Sequence, residues 1–381
     1  MKILIITDAW YPQVNGVVQT LTKTRDHLVQ MGHKAELITP ESFRTIPCPT
    51  YPEIRLSIFP GKKIAEKIQV SQPDAIHIAT EGPLGLAARR YATSHNLDFT
   101  TAFHTRFPEY IRSRTKLPLG ATYALLRWFH SPAKNVMAPT NTVIRDLEKW
   151  QIGNPVLWPR GVDLTIFNPC NRNVKKPTGN IEKLNASIAK LDNATKPVFI
   201  YVGRVAVEKN LSGFLDLDLP GEKHVVGEGP ALKTLKKKYP KVIFHDAHPT
   251  ENLPAFYNRA DVFVFPSRTD TFGLVLLEAM GCGLPVAAFP VTGPIDVVGE
   301  SGAGILDNDL KKGCLAALKI DRKIVRMHAE KFSWKSATDI FFSHLTNAHK
   351  IVDRYQISKK PYKTNYRSVS YTHLRAHETR S

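Results

Sequence analysis

Cysteine is scarce in this chain. Cys48, Cys170, Cys282 and Cys314 lie far apart with no C-x-x-C pair, so neither a disulfide framework nor a zinc site is expected. A reducing cytoplasm is the expected compartment. Long apolar runs are also missing: no stretch approaches the ~20 residues of a membrane span, and the apolar opening Lys2–Ile6 turns polar at Thr7, too soon for a signal peptide. The G-x-G-x-x-G fingerprint is absent, which removes the usual argument for a dinucleotide cofactor. RNP-type aromatic motifs, a helix-turn-helix glycine turn and zinc-finger spacing are absent too, so a formal charge of +18 is the sole feature that favours nucleic acid. Spread over both halves, that charge equally suits nucleotide diphosphates or acidic lipid.

What is present is room for two domains, with 381 residues of which 43% are hydrophobic. The most informative stretch runs from Val262 to Phe289. Val262–Phe265 reads as a buried strand. Ser267-Arg-Thr-Asp270-Thr-Phe-Gly273 reads as a loop, with the N–H groups of Thr271, Phe272 and Gly273 opening a helix that Gly281, Gly283 and Pro285 end. Val286–Phe289 is the next strand. Strand, loop, helix and strand at this spacing form a βαβ crossover, whose loop lies at the carboxyl edge of a parallel sheet, where such folds bind ligands. A helix start attracts phosphate. Asp270 and Glu278 would flank it, suited to hydroxyls of a sugar and a ribose; the plainer alternative is a capping Asp and a solvated helix Glu.

The same pattern opens the chain. A strand at Lys2–Thr7 leads through a polar loop to Gly16, and Val17, Leu21, Leu28 and Met31 mark a helix closed by Gly32. Asp74–Ala79 is a further strand. Phe99–Phe103 is another, ending at His104, which sits at a carboxyl edge; alone, such a His is more often a structural hydrogen-bonder. Pro159-Arg-Gly-Val-Asp163-Leu-Thr-Ile-Phe167 is a loop, and 170–196 reads as a connection with one short helix at Ile181–Leu191. The strand-loop-helix pattern then restarts at Pro197–Gly203, followed by Arg204-Val-Ala-Val-Glu-Lys209-Asn210. Arg and Lys beside a strand end suit a diphosphate, the first as a fork and the second as a point charge. Gly227-Glu-Gly-Pro230 is a turn after the next strand.

Taken together these segments resemble the retaining glycosyltransferases of GT-B architecture, family 4. The likeness rests on Asp270 and Glu278 as the paired acids, with Asp in place of the usual first Glu. It also rests on Gly203-Arg…Glu-Lys-Asn, on Gly-x-Gly-Pro, on Phe-His104-Thr, and on Arg-Gly-Val-Asp-x-x-x-Phe with Arg160 in place of the common Asn. The resemblance implies an α/β fold of two Rossmann-like domains facing across a cleft. The expected layout is an acceptor domain at 1–169, a connection at 170–196, a nucleotide-sugar domain at 197–335 and a helix crossing back at 336–357. Residues 358–381 have no periodicity and look like translated adaptor sequence. A long C-terminal amphipathic helix is expected from Phe332 to Tyr355, with Ile340, Phe341, His344, Leu345, Ala348 and Ile351 near one face.

The resemblance further implies a nucleotide-diphosphate sugar as donor, GDP-mannose first and UDP-glucose second, with retention of configuration and neither cofactor nor metal. Asp216 and Asp218 match the letters of a cation motif but read as solvent-facing. Arg204 and Lys209 would take the diphosphate with the helix start at Thr271–Gly273. Asp270 would hold the sugar hydroxyls, Glu278 the ribose and His104 the sugar near C6. A backbone N–H at Gly16 would reach the donor phosphate, and the backbone near Ala247 would face the base. Rival readings are a sugar-phosphate phosphorylase or epimerase of the same fold, a UDP-glucose enzyme acting on a soluble saccharide, and a basic nucleic-acid-binding protein. Arg112, Arg114 and Lys116 adjoin Leu117, Leu119, Tyr123, Leu126, Trp128 and Phe129. That arrangement favours a lipid-linked acceptor and peripheral attachment to the inner face of an anionic membrane; alternatively Leu126 and Phe129 are core.

Overall fold

A computed structural model describes residues 1–13, 15–48, 51–104, 118–169, 178–194 and 197–346. Arg112, Arg114, Lys116, Leu117 and the tail beyond Thr346 therefore lie outside the described residues.

The short apolar runs become two six-stranded parallel sheets. The first has the order β2-β1-β5-β6-β7-β8, with β1 Lys2–Ile6, β2 Lys34–Ile38, β5 Ala75–Ile78, β6 Thr100–Ala102, β7 Val136–Ala138 and β8 Pro155–Leu157. An antiparallel hairpin, β3 Thr45–Cys48 and β4 Tyr51–Ser57, stands apart from it. The second sheet has the order β11-β10-β9-β12-β13-β14. Its strands are β9 Val198–Val202, β10 Glu222–Val226, β11 Ile243–His245, β12 Val262–Phe265, β13 Val286–Ala288 and β14 Gly304–Leu306. Unbroken apolar runs such as Val262–Phe265 are what a strand covered by helices on both faces requires, and all four of these residues are buried. In each sheet the strand order reverses beside the first strand, between β1 and β5 and between β9 and β12. The loops after those strands are the expected ligand crevices.

The halves are stitched by the segment from Trp158 to Phe167. Val162 pairs with Ser333 in an isolated parallel bridge and donates its N–H to Phe332 O at 3.0 Å. Phe167 enters the core of the second half, where Arg326 Nη1 donates to Phe167 O at 2.7 Å and Gly281 O at 2.5 Å. From Ser333, whose hydroxyl caps the Ser336 N–H, the helix Trp334–His344 packs back on the first sheet. Phe341 lies in one cluster with Ile3, Ile5, Leu28 and Trp158, and Asn135 Nδ2 donates to His344 O at 2.8 Å. This helix differs from its sequence reading. Its buried face is Trp334, Ala337, Thr338 and Phe341, and it stops at His344 because Leu345 turns extended.

Gly161 makes this crossing possible. A Cβ there would stand 2.2 Å from Trp334 N and 2.5 Å from Ser333 C, both backbone atoms that have no rotamer to give way. Gly161→Ala should therefore cost about 3 kcal/mol in chemical denaturation, the upper end of the overpacking range. Gly61→Ala, where nothing lies within 4 Å, should be neutral or stabilising. Equal stability of the two variants would show that the crossing has slack.

Candidate active site

The site is built from loops at the carboxyl ends of β1, β5, β6, β9 and β12. In the first half, Asp8 follows β1 and caps the helix Pro83–Ser94 that follows β5. Its carboxylate accepts from Leu84 N at 2.8 Å, Gly85 N at 3.2 Å and Thr80 Oγ1 at 2.9 Å. Burial pushes that carboxyl up to about 6 against those hydrogen bonds. Asn15 caps the helix Gly16–Gln30, its side chain accepting from the N–H groups of Val17 and Val18. Gly16 is exposed at this helix start and faces the other half: a Cβ on it would stand 3.3 Å from Leu274 Cδ1.

In the second half, the loop after β9 is shaped by glycines. Gly203, Gly227 and Gly229 all have positive φ, and a Cβ on Gly227 would stand 2.0 Å from Gly203 O. The Gly-x-Gly-Pro turn thus lies backbone to backbone against the loop carrying Arg204, with Val205 N donating to Glu228 O at 2.8 Å. Tyr201 OH donates to Arg204 O at 2.8 Å. Lys209 ends a short turn, and its ammonium donates to Asp270 Oδ1 at 2.5 Å across to the loop after β12. Asn210 binds the same loop through Pro266 O at 3.0 Å.

The helix after β12 runs from Leu274 to Gly281 with Gly273 as its cap, at φ +85°. That left-handed turn places Thr271 and Phe272 before the helix rather than in its first turn, a correction to the sequence reading. Phe272 packs its ring into the core, so only its backbone is available to a ligand. Asp270 is no helix cap, and Glu278 is no solvated residue. Glu278 is buried and accepts from Tyr257 OH at 3.1 Å. Burial pushes its carboxyl up to about 7, opposed by hydrogen bonds from Tyr257 and from Gln19 of the first half. Asp270 Oδ2 is buried without a hydrogen-bond partner among the described residues.

The two carboxyl edges meet. Thr271 Oγ1 donates to His104 O at 2.7 Å, Thr140 Oγ1 to Thr271 O at 3.4 Å, and Thr142 N to Asp296 Oδ1 at 3.0 Å. His104, Asp270, Lys209 and Thr271 are thereby drawn to one seam, with Gly16 and Glu278 near its start. Arg204 lies on the loop that carries Lys209. Ala247 is exposed past β11, at the outer strand of the sheet. Tyr257, Gln19, Thr140 and Asp296 carried no signal in the sequence. Asp216 and Asp218 are solvent-facing, pairing with Lys238 and Lys311. Tyr123, Leu126 and Phe129 are buried, whereas Leu125 and Trp128 are exposed.

Comparison with known proteins agrees with this geometry. Residues 14–166 match the family described as Glycosyltransferase Family 4, and residues 196–319 match Glycosyl transferases group 1. A sulfoquinovosyl transferase of Arabidopsis thaliana is 28% identical over 371 residues, covering 88% of this chain and 71% of that protein. A GDP-mannose-dependent alpha-mannosyltransferase of Corynebacterium glutamicum is 27% identical over 337 residues, covering 80% and 76%. An alpha-monoglucosyldiacylglycerol synthase of Streptococcus pneumoniae is 26% identical over 377 residues, covering 87% and 83%. In fold, sucrose-phosphate synthase of Thermosynechococcus elongatus superposes with a TM-score of 0.68 at 20% identity, over 93% of this chain and 98% of that one. With matched segments in both halves, paired parallel sheets and a charged seam between them, the chain belongs to the family 4 glycosyltransferases of GT-B architecture.

Proposed function

We propose that this glycosyltransferase moves a hexose, mannose from GDP-mannose, to a lipid-linked acceptor with retention of configuration. The observation that carries the reading is the Thr271–His104 bond, which brings Lys209 and Asp270 from one sheet against a strand-end histidine from the other. Charge develops at two places in such a transfer: positive at the anomeric carbon and negative on the leaving diphosphate. Arg204, Lys209 and the helix start after Gly273 are preorganised donors for the negative end. Asp270 holds the Lys209 ammonium; an arriving diphosphate competes for it and leaves Asp270 for sugar hydroxyls. Glu278 takes the ribose, His104 the sugar near C6, the Gly16 backbone the phosphate and the Ala247 backbone the base. No nucleophilic side chain is assigned opposite the leaving group, so the acceptor attacks on the face the diphosphate leaves, with a diphosphate oxygen taking its proton.

The acceptor side is residues 1–169 and the donor side 197–335, with 170–196 as connection and Trp334–His344 as the returning helix. The lipid-linked acceptor is supported by the glucosyldiacylglycerol synthase among the relatives and by exposed Leu125 and Trp128, the latter with the Arg89 guanidinium 3.9 Å from its ring centroid. An apolar, aromatic surface edged by bases suits peripheral attachment to an anionic membrane.

GDP-mannose should raise the thermal midpoint by mass action and support transfer to a lipid acceptor. A shift with UDP-glucose alone would replace the sugar assignment, and no shift with any nucleotide sugar would remove the reading. Lys209→Ala and Arg204→Ala should each lower turnover by ~10²-fold or more; near-normal rates would remove the diphosphate assignment. Glu278 adds a test by pH. A carboxyl raised from 4.5 to about 7 in the folded chain costs nothing below the lower value and increasingly destabilises the fold as pH rises to the upper one. Glu278→Gln should therefore stabilise the donor-free protein more at pH 8 than at pH 5, by an amount of the order of 2–3 kcal/mol, while weakening donor binding. A difference in stability that does not vary with pH would show that this carboxyl is ionised throughout.

A further inference from the structure

His104 is held by a group that can only donate. Arg160, buried in the loop after β8, donates from Nη1 to Trp158 O at 2.5 Å and to Pro159 O at 3.2 Å, with its guanidinium carbon 4.4 Å from the Trp158 ring centroid. Its Nη2 lies 3.1 Å from His104 Nδ1. No carboxylate pairs with it among the described residues. Burial brings the guanidinium down to about 9, which leaves it charged at neutral pH. A guanidinium has five N–H donors and no acceptor, so Nδ1 of His104 must offer its lone pair and the ring proton must sit on Nε2. A second proton on Nδ1 would break this bond and set two cations 3.1 Å apart. His104 Nε2 is buried and has no hydrogen-bond partner among the described residues.

We propose that Arg160 is a positioning residue that locks His104 as the neutral Nε2–H tautomer, leaving one N–H donor for an oxygen of the donor sugar. This rests on the reading that His104 meets the sugar. The departure from the family's common Asn then acquires a purpose. An Asn amide both donates and accepts, so it would permit either imidazole tautomer, whereas Arg permits one. The groups acting on the ring agree. Burial, then Arg160 from the loop after β8 and His77 from β5, hold His104 well below the ordinary histidine range. His77 is itself buried against Thr100 Oγ1 at 2.9 Å and held near 3, so it adds no proton. From the loop after β12 the contact is the Thr271 hydroxyl, which is spent on the His104 carbonyl.

The test uses the whole protein with ¹⁵N-labelled histidine, comparing the parent with Arg160→Met, Arg160→Lys and His104→Gln, the last to assign the signal. In the donor-free parent, long-range ¹H–¹⁵N spectra should show His104 with Nε2 protonated and no titration down to about pH 5. In Arg160→Met the tautomers should mix and titration should move upward into the measured range, while Arg160→Lys should retain the Nε2–H form. Turnover in Arg160→Met should fall about ten- to a hundredfold with donor KM little changed, gain an acid limb in its pH profile, and recover in part in Arg160→Lys. A parent His104 protonated on Nδ1 overturns the proposal, as does an Arg160→Met protein with unaltered histidine signals and pH profile. Full turnover in His104→Gln would instead overturn the reading that His104 meets the sugar, and the catalytic half of the proposal with it; the spectra would still decide the lock.

Discussion

The missing side chain of Gly161 is the constraint on which the two-sheet arrangement depends. Through that gap the backbone of Gly161–Val162 runs against Phe332–Trp334, closely enough for a β-bridge and a 3.0 Å hydrogen bond. Several of the contacts that hold this crossing are anchored within a few residues of it. Trp158 packs under the returning helix, and Arg160 reaches His104. Lys23 of the first helix binds Asp163 at 3.0 Å, and Phe167 is seated in the other core beneath Arg326. One short motif thus supplies a close backbone approach, a core anchor and a charged contact to the site.

The seam between the sheets is polar, yet much of it is out of water. Buried polar groups are tolerated only when paired, and here the pairing crosses between loops that are distant in sequence. Lys209 neutralises Asp270, Tyr257 and Gln19 serve Glu278, and Arg160 spends its donors on two carbonyls and an imidazole. Groups left over at the seam among the described residues include Asp270 Oδ2, Asp296 Oδ2 and His104 Nε2. Asp8 plays the supporting part, joining β1 to the helix after β5 so that the first crevice keeps its shape.

Local chemistry made a large part of this fold legible. Apolar runs bounded by turn residues marked β1, β9 and β12, because strands covered on both faces must be apolar throughout. The restart of the pattern after residue 196 indicated a second parallel sheet, and Arg204, Lys209 and Asp270 stood out because charge at a strand's carboxyl end has few other uses. The helix after β12 was placed slightly early, since the positive φ of Gly273 delays its start in a way that a Gly in a loop does not announce. The C-terminal helix was drawn too long and with its face rotated, because its burial depends on the first sheet rather than on its own periodicity.

The sequence by itself determined strands such as β1, β9 and β12 and the helices that follow them, that two parallel sheets follow one another, and which loops carry the charges. Those properties reside in near neighbours along the chain, in propensity, periodicity and turn chemistry. Tertiary structure alone decided that Glu278 is buried beside Tyr257, that Thr271 meets the carbonyl of His104 across 167 residues, and that Arg160 faces an imidazole rather than water. Pairings over such distances are fixed by how the two sheets pack and by which polar atoms that packing removes from solvent, and neither quantity is written in any local stretch of residues.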